Sequence, residues 1–497
     1  ELRDIASRLD LSCLLSSRFC FSELNVGFLD IDLSGEEGGA PSPGADATAV
    51  DNSIEMLVFP VRVESDNLWV GGTSIRWRGG EWRQGEAALR VRLRDSEITV
   101  TEARFVSPEL VLQPAQEEQA ASGRIELPGV GLPFTLQVGA LSLQAPRWTI
   151  EDTMRELSSL SRAGKWRGSE LGLKSLEVVS ADLGSLKAEG EVDFAGEWPL
   201  RWSGQLQVPA ERAVAGFPVE PVEIDLEGPL SAFVAKVSSG GVRGFQLDVE
   251  ADLLDRELPF TMEAEVSADE SMALSELPGV SEDYADVMLE FPARVDASGT
   301  LQQQLFSIQG AFSWQEYRGV ALTAKGEFKG DTLLLDGLSL LDVEGQNRVD
   351  ASGQVAFARE TEVSLAVESN GFSLPGSLPL AGRLEGAIEV QARLGDERWQ
   401  LGFPAVSLKG EVNGLAANAS GKLYLDQDWS LAHSDIEVVA NGADLQLVGV
   451  THGSGEGRLD LVVEELGRWQ EGSRGRVALP GRVSPDQRRL DREGALE

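Results

Sequence analysis

Histidine is nearly absent from the 497 residues: the only two are His433 and His452. Neither has a partner at metal-ligand spacing or a serine in a nucleophile-elbow setting, so zinc hydrolysis and histidine-assisted acyl transfer lack their usual residues. His452 lies in Thr451-His452-Gly453-Ser454-Gly455, which reads as a polar turn. Cysteine is as scarce, with only Cys13 and Cys20. They pair only if the chain matures in an oxidising compartment; two buried thiols are the other reading. No apolar run approaches the roughly 20 residues a membrane-crossing helix needs. No glycine motif that cradles phosphate occurs, since the 54 glycines fall mostly where strands would join. Cations are few, 43 against 81 acids, for a formal charge of −38. Such a surface repels nucleic acid, and anionic membrane surfaces alike, so no nucleic-acid partner is expected. The paired carboxylates Asp30/Asp32 and Glu464/Glu465 form no calcium loop. Asn418-Ala419-Ser420 matches the glycosylation acceptor pattern, a frequent chance match.

What the chain does have is alternation. The stretch from Phe59 to Leu112 is a run of short strands with one apolar and one charged face, as where Leu89, Val91 and Leu93 alternate with Arg90, Arg92 and Arg94. Its opening, Phe59-Pro60-Val61, returns at Leu132-Pro133-Phe134 and Leu258-Pro259-Phe260. Its tryptophan turn, Gly80-Glu81-Trp82, returns at Gly164-Lys165-Trp166. The second copy carries an insert at 151–163 with Met154, Leu157 and Leu160 at helical spacing. Short helical inserts are also predicted within 269–286 and 463–469. A Ser-Gly-polar-aliphatic unit recurs at Ser122, Ser203, Ser298, Ser352 and Ser420, where glycine permits a bend or close backbone approach as each strand begins. A long period with insertions marks a stacked repeat body.

The fold expected is all-β, elongated, repetitive and mostly antiparallel, a curled sheet or trough with an apolar groove. Turn signals roughly every 12 residues allow about 40 strands. The organisation reads as opening strands at 1–33, a flexible acidic, Gly- and Pro-rich loop at 34–53, one continuous repetitive body at 54–483 and a charged tail at 484–497. Trp82, Trp166 and Trp198 share a setting of glycine, a charged residue, then tryptophan. They either form an aromatic row along a groove or cap the apolar interior at turns. The aliphatic face likewise has two uses, to pack on itself as a core or to line a groove for acyl chains.

The Pro-aliphatic openings, the Gly-Lys-Trp turn followed by alternating leucines, Gly196-Glu197-Trp198-Pro199-Leu200 and Gly228-Pro229-Leu230-Ser231 resemble the TamB family of Gram-negative bacteria. So do Ser17-Arg18-Phe19-Cys20-Phe21, Asn347-Arg348-Val349-Asp350-Ala351-Ser352-Gly353 and Leu466-Gly467-Arg468-Trp469. The likeness covers most of residues 17–483. It implies the periplasmic body of an inner-membrane-anchored envelope protein, here a fragment without the N-terminal anchor and C-terminal domain. That body would meet the outer-membrane barrel TamA through the missing domain, carry phospholipid between the membranes and support assembly of autotransporters.

The function expected is therefore a conduit for phospholipid acyl chains, with no enzyme activity, no cofactor, and no catalytic or metal residue. Exposing an acyl chain to water costs about 0.8 kcal/mol per CH₂, which an aliphatic trough removes without chemistry. The residues expected to line it are Leu89, Val91, Leu93, Leu136, Val138, Leu171, Leu173, Leu206, Val208, Phe245, Leu247, Val249, Val355, Phe357, Leu423 and Leu425. Two other functions fit the same pattern: a chaperone scaffold that accepts nascent strands at its sheet edge, and a surface solenoid with a packed core.

Overall fold

A computed structural model gives the fold. It describes the chain except residues 1, 17, 33–55, 78–79, 113–122, 128, 151–152, 181–183, 210–219, 242, 277–279, 316, 344–346, 374–381, 396–397, 427–433, 450–456, 469–473, 484–490, 493–494 and 497. The acidic loop at 34–53 and both histidines therefore lie outside the described residues, as does most of the charged tail. Among the described residues the fold is all-β: 35 strands, against about 40 expected from turn spacing, with short 3₁₀ turns as the other regular elements. No helix among the described residues is long and apolar enough to cross a membrane. The chain divides into two units, Glu1–Phe260 and Thr261–Glu497.

The first unit opens with the antiparallel pair Leu2–Asp10 and Arg18–Asp32. A disulfide joins Cys13 to Cys20 across the intervening turn, which decides between the two readings of these cysteines. Arg18–Asp32 then takes two parallel partners end to end, Arg62–Val70 and Thr73–Trp77. The same construction recurs where Glu97–Val106 and Glu109–Leu112 take Leu132–Gln144 and Arg147–Ile150 in parallel. The repeated sequence openings thus mark the two parallel entries. They lie side by side, with the rings of Phe59 and Phe134 6.1 Å apart. From Leu132–Gln144 onward the main path is antiparallel through Arg243–Ala251.

Two devices bend this sheet. The first is a line of strand breaks at Gly71-Gly72, Ser107-Pro108 and Ala145-Pro146. Ser107 and Ala145 hold positive φ there, +48° and +46°. Backbone bonds carry the ladder through the breaks: the Ser107 amide donates to Gln144 O (2.9 Å), the Ala145 amide to Ser158 O (3.1 Å) and the Arg147 amide to Pro108 O (2.9 Å). Thr73, Gln84, Pro108 and Leu157 are buried along this line. The second device is a line of bulges. Between the same two levels of the sheet, Arg62–Val70, Glu97–Val106, Leu132–Gln144 and Glu170–Ser180 take a three-residue step where their partners take two. An extra residue bends the strand and tightens its twist. Repeated on neighbouring strands at one height, it curls the sheet.

The described part of the stretch 151–163, read as a helical insert, is strand instead: Thr153–Glu156 and Ser159–Gly168 flank a break at Leu157-Ser158. The Met154, Leu157, Leu160 spacing arises because Leu157 is buried at the bend line and shifts the alternation on either side of it. The other two inserts are 3₁₀ turns, Leu274–Glu276, Glu282–Tyr284 and Leu466–Arg468.

The second unit is an unbroken antiparallel meander from Val287–Gly299 to Val477–Val483. Four glycines of the Ser-Gly units do not stand where strands begin: Gly299 ends Val287–Gly299, and three lie within strands. Gly204, Gly353 and Gly421 lie inside Leu200–Gln207, Arg348–Phe357 and Leu415–Asp426. The close approach expected of them is present: a Cβ on Gly353 or Gly421 would lie 2.0 Å from a neighbouring strand's carbonyl oxygen, and their φ values are +148° and +125°. Only glycine fits such a position.

An apolar face running across the strands

In a β-ladder, directly opposed residues share a face, so the register shows which side chains line up. In the first unit four rows cross the sheet on one face. One runs Phe21, Ser65, Val91, Val100, Val138, Gly164, Leu173, Gly190, Trp202, Leu226, Ala235 and Val249. A second runs Leu24, Leu68, Leu89, Ala103, Leu141, Arg162, Leu176, Ala188, Gly204, Ile224, Val237 and Leu247. Flanking these are the row containing Leu93, Ile98, Leu136, Trp166, Leu171, Val192 and Leu200, and the row containing Phe105, Leu143, Leu160, Val178, Leu186, Leu206, Val222 and Phe245. Successive members lie roughly 4.8 Å apart.

In the second unit one row reads Val295, Ile308, Ala324, Leu338, Ala351, Val367, Ile388, Val406, Gly421, Ile436, Leu447, Leu459 and Gly481. It holds no polar side chain. Beside it run Leu333, Val355, Val363, Ala392, Leu401 and Leu425.

Most of the sixteen residues singled out by apolarity fall on these rows. Leu89 and Leu247 share one; Val91, Val138, Leu173 and Val249 a second; Leu93, Leu136 and Leu171 a third; Leu206 and Phe245 the fourth. In the second unit Val355 and Leu425 share a row, and Leu423 pairs with Phe403. Two stand apart. Val208 follows the end of its strand. Phe357, 47% exposed, opposes Thr361 at a strand end and stacks on Phe328 at 6.0 Å.

The burial of this face is what separates a groove from a core. Of the sixteen residues only Leu173 is buried, at 7% exposure, and all the others except Phe357 are half-buried. A closed sandwich would seal the middle of each strand. The opposite face is exposed and carries cross-strand ion pairs such as Arg393–Glu362 at 3.2 Å and Lys409–Glu385 at 3.1 Å. One depression, about 840 Å³, is lined by the alternating charges Lys165, Glu191, Arg201 and Glu227 together with Leu171, Val192 and Leu200 and offers no convergent chemistry.

The tryptophans do not form one row. Trp166 lies on the apolar face, donates from Nε1 to Gly168 O at 3.0 Å and packs on Phe194, which meets Trp198 edge-on at 5.0 Å. Trp82 stands elsewhere, between Ile75 and Leu110 on the short strands beyond the bend. The acidic pairs are taken up by arginines: Asp30 and Asp32 by Arg76, Glu464 by Arg476 and Glu465 by Arg468. Among the described residues no cluster of three or more His, Cys, Asp or Glu could hold a metal.

The sixteen expected residues leave out much of this face, including the second-unit row from Val295 to Gly481 and Arg162, the single charge within the four rows. Period-2 reading of Leu160-Ser161-Arg162 would have placed it beside Leu160, but the helical reading of 151–163 hid it.

In each unit a sheet with one charged face and one half-open aliphatic face defines a class: an all-β protein whose distinguishing surface is a strip of apolar rows and not a pocket. The chain belongs to the TamB family, matching the TamB N-terminal domain over residues 1–485. No solved structure matches it.

Proposed function

We propose that the apolar face carries the acyl chains of phospholipid between the inner and outer membranes of the envelope, with no covalent chemistry. The observation behind this reading is the half-burial of aliphatic rows that run from strand to strand with one charge, Arg162, among them, since a surface meant only for packing would be sealed. Each CH₂ laid on such a face escapes about 0.8 kcal/mol of hydration cost, and a row without polar side chains offers the same gain at each step. The disulfide Cys13–Cys20 accords with an oxidising periplasm. Family membership supports a role in envelope lipid and protein assembly. Within it we place this body between an inner-membrane anchor and the outer-membrane barrel TamA, where it aids autotransporter assembly.

The test is site-specific photocrosslinking in cells carrying the full-length protein. Probes at Leu89, Val138 and Leu247 should capture phospholipid; probes at Arg90, Lys187 and Gln246, on the other face, should not. Equal labelling of both faces would defeat the reading. Capture of polypeptide alone would favour a strand-accepting scaffold.

A further inference from the structure

Arg162 occupies a position that the rest of the apolar face gives to aliphatic residues. It opposes Leu141 on one neighbouring strand and Leu176 on the other. Its Nε is sealed from solvent without a hydrogen-bond partner among the described residues, although the residue as a whole is only half-buried. The adjacent acid Glu177 projects to the opposite face, where it meets Lys187 at 3.8 Å. Burial pushes the Arg162 guanidinium below its ordinary value, yet arginine does not give up its proton in proteins. The site therefore holds a permanent, partly desolvated cation with no counter-charge among the described residues, on a chain whose net charge is −38.

Partly buried cations are ordinarily paired. A planar fork of donors on a half-buried side chain suits an oxyanion. The bulge line passes beside Arg162, with register shifts at Ala163/Gly164 and Arg162/Gly164, and bulges re-aim side chains next to functional positions. The next member of the adjoining row is Gly164 and the second strand over offers Ala188, so little side-chain bulk flanks the arginine on those sides.

We propose that Arg162 is a headgroup post: it binds the phosphate of a lipid whose acyl chain lies along the neighbouring aliphatic rows. This rests on the acyl-conduit reading and adds a fixed polar station to it.

The experiment uses the purified chain and three probes: palmitoyl lysophosphatidylglycerol, which is an anionic phosphodiester; monopalmitoylglycerol, with the same acyl chain and no charge; and inorganic phosphate. The wild type should bind the anionic lipid roughly three- to fivefold more tightly than the neutral one. Arg162→Leu should abolish that preference while leaving the neutral lipid within about twofold, and Arg162→Lys should keep part of it. Thermal unfolding of Arg162→Leu should equal or exceed wild type, because an unpaired cation is exchanged for a side chain its neighbours match. If that variant misfolds, Arg162→Gln answers the same question. Equal binding of both lipids by wild type, or a preference that survives Arg162→Leu, overturns the post alone. Failure of wild type to bind either lipid overturns the conduit reading beneath it. Inorganic phosphate bound as tightly as the anionic lipid, and lost in Arg162→Leu, would assign the site to free phosphate and refute the headgroup form.

Discussion

Charging the apolar face across one whole strand should separate a groove from a core. Arg243–Ala251 presents Phe245, Leu247 and Val249 to that face, opposite Ser239, Val237 and Ala235. A single arginine is a weak perturbation, since the Leu247 row already tolerates Arg162. The informative variant is Leu247→Arg with Val249→Arg, which charges two of the three apolar positions. Full burial of a leucine or valine is worth about 1.5–3 kcal/mol. At these half-buried sites roughly half is at stake, and the arginine stem recovers part by lying along the sheet. With mutual repulsion the pair should cost about 2–3 kcal/mol, or roughly 4–12 °C in Tm for a unit of this size. In a closed core each unpaired charge would cost about 3–5 kcal/mol, together approaching the whole stability of a domain. Passage should respond oppositely. If four methylenes are rehydrated at the charged strand, the barrier rises by about 3 kcal/mol, roughly a hundredfold slowing. The outer-face control is Gln246→Arg with Glu250→Arg. Thermal unfolding of the purified chain and outer-membrane integrity in cells with the full-length protein provide the two readouts. A well-folded double variant with wild-type integrity would refute a groove crossing this strand, and an unfolded one would refute the open face.

Three further outcomes follow from local geometry. Gly421→Val should cost at least about 3 kcal/mol, because its φ is +125° and the new Cβ would lie 2.0 Å from Asp435 O; Gly337→Ala, with nothing within 4 Å, should barely move the unfolding midpoint. Trp166→Ala should lower stability by about 2 kcal/mol, less than a fully buried aromatic loses, and quench the fluorescence change that reports Phe194–Trp198 packing on unfolding. Reducing Cys13–Cys20 should release about 2.5 kcal/mol of loop constraint, read by hydrogen exchange as lost protection confined to Leu2–Asp10 and Arg18–Asp32.

The fold class and much of the apolar face were legible because a strand's alternation is a local property. Leu89, Val91 and Leu93 declare their face through the arginines between them, and the ladder only has to set them opposite other such strands. What the sequence hid depends on long-range register. Nothing local shows that Thr101 and the pair Gly139-Ala140 are the extra residues of two neighbouring strands at one height, yet that coincidence helps curl the sheet. Leu157 misled for the same reason: a residue buried at a bend breaks the period of two and leaves a spacing that mimics a helical turn. Trp82 and Trp166 share a local motif, but one ends up beyond the bend line and the other on the main path. Partner strands alone decide that.

A conduit works best when each step along it has the same energy, because any deep well becomes a trap. The second-unit row from Val295 to Gly481 meets that demand, since its side chains differ only in aliphatic bulk. Arg162 departs from it, and its geometry limits how far. The side chain is only half-buried, so solvent screens the pair it would form with a phosphate, and such half-exposed pairs are worth about 1 kcal/mol or less. A well that shallow lengthens residence roughly fivefold, enough to fix a lipid's orientation without arresting it. A fully buried guanidinium would hold the anion far more strongly and stop traffic, whereas leucine there would leave headgroups without a polar contact on this stretch of an acidic chain. The partial exposure of Arg162 is thus what makes one cation on an aliphatic face compatible with movement along it.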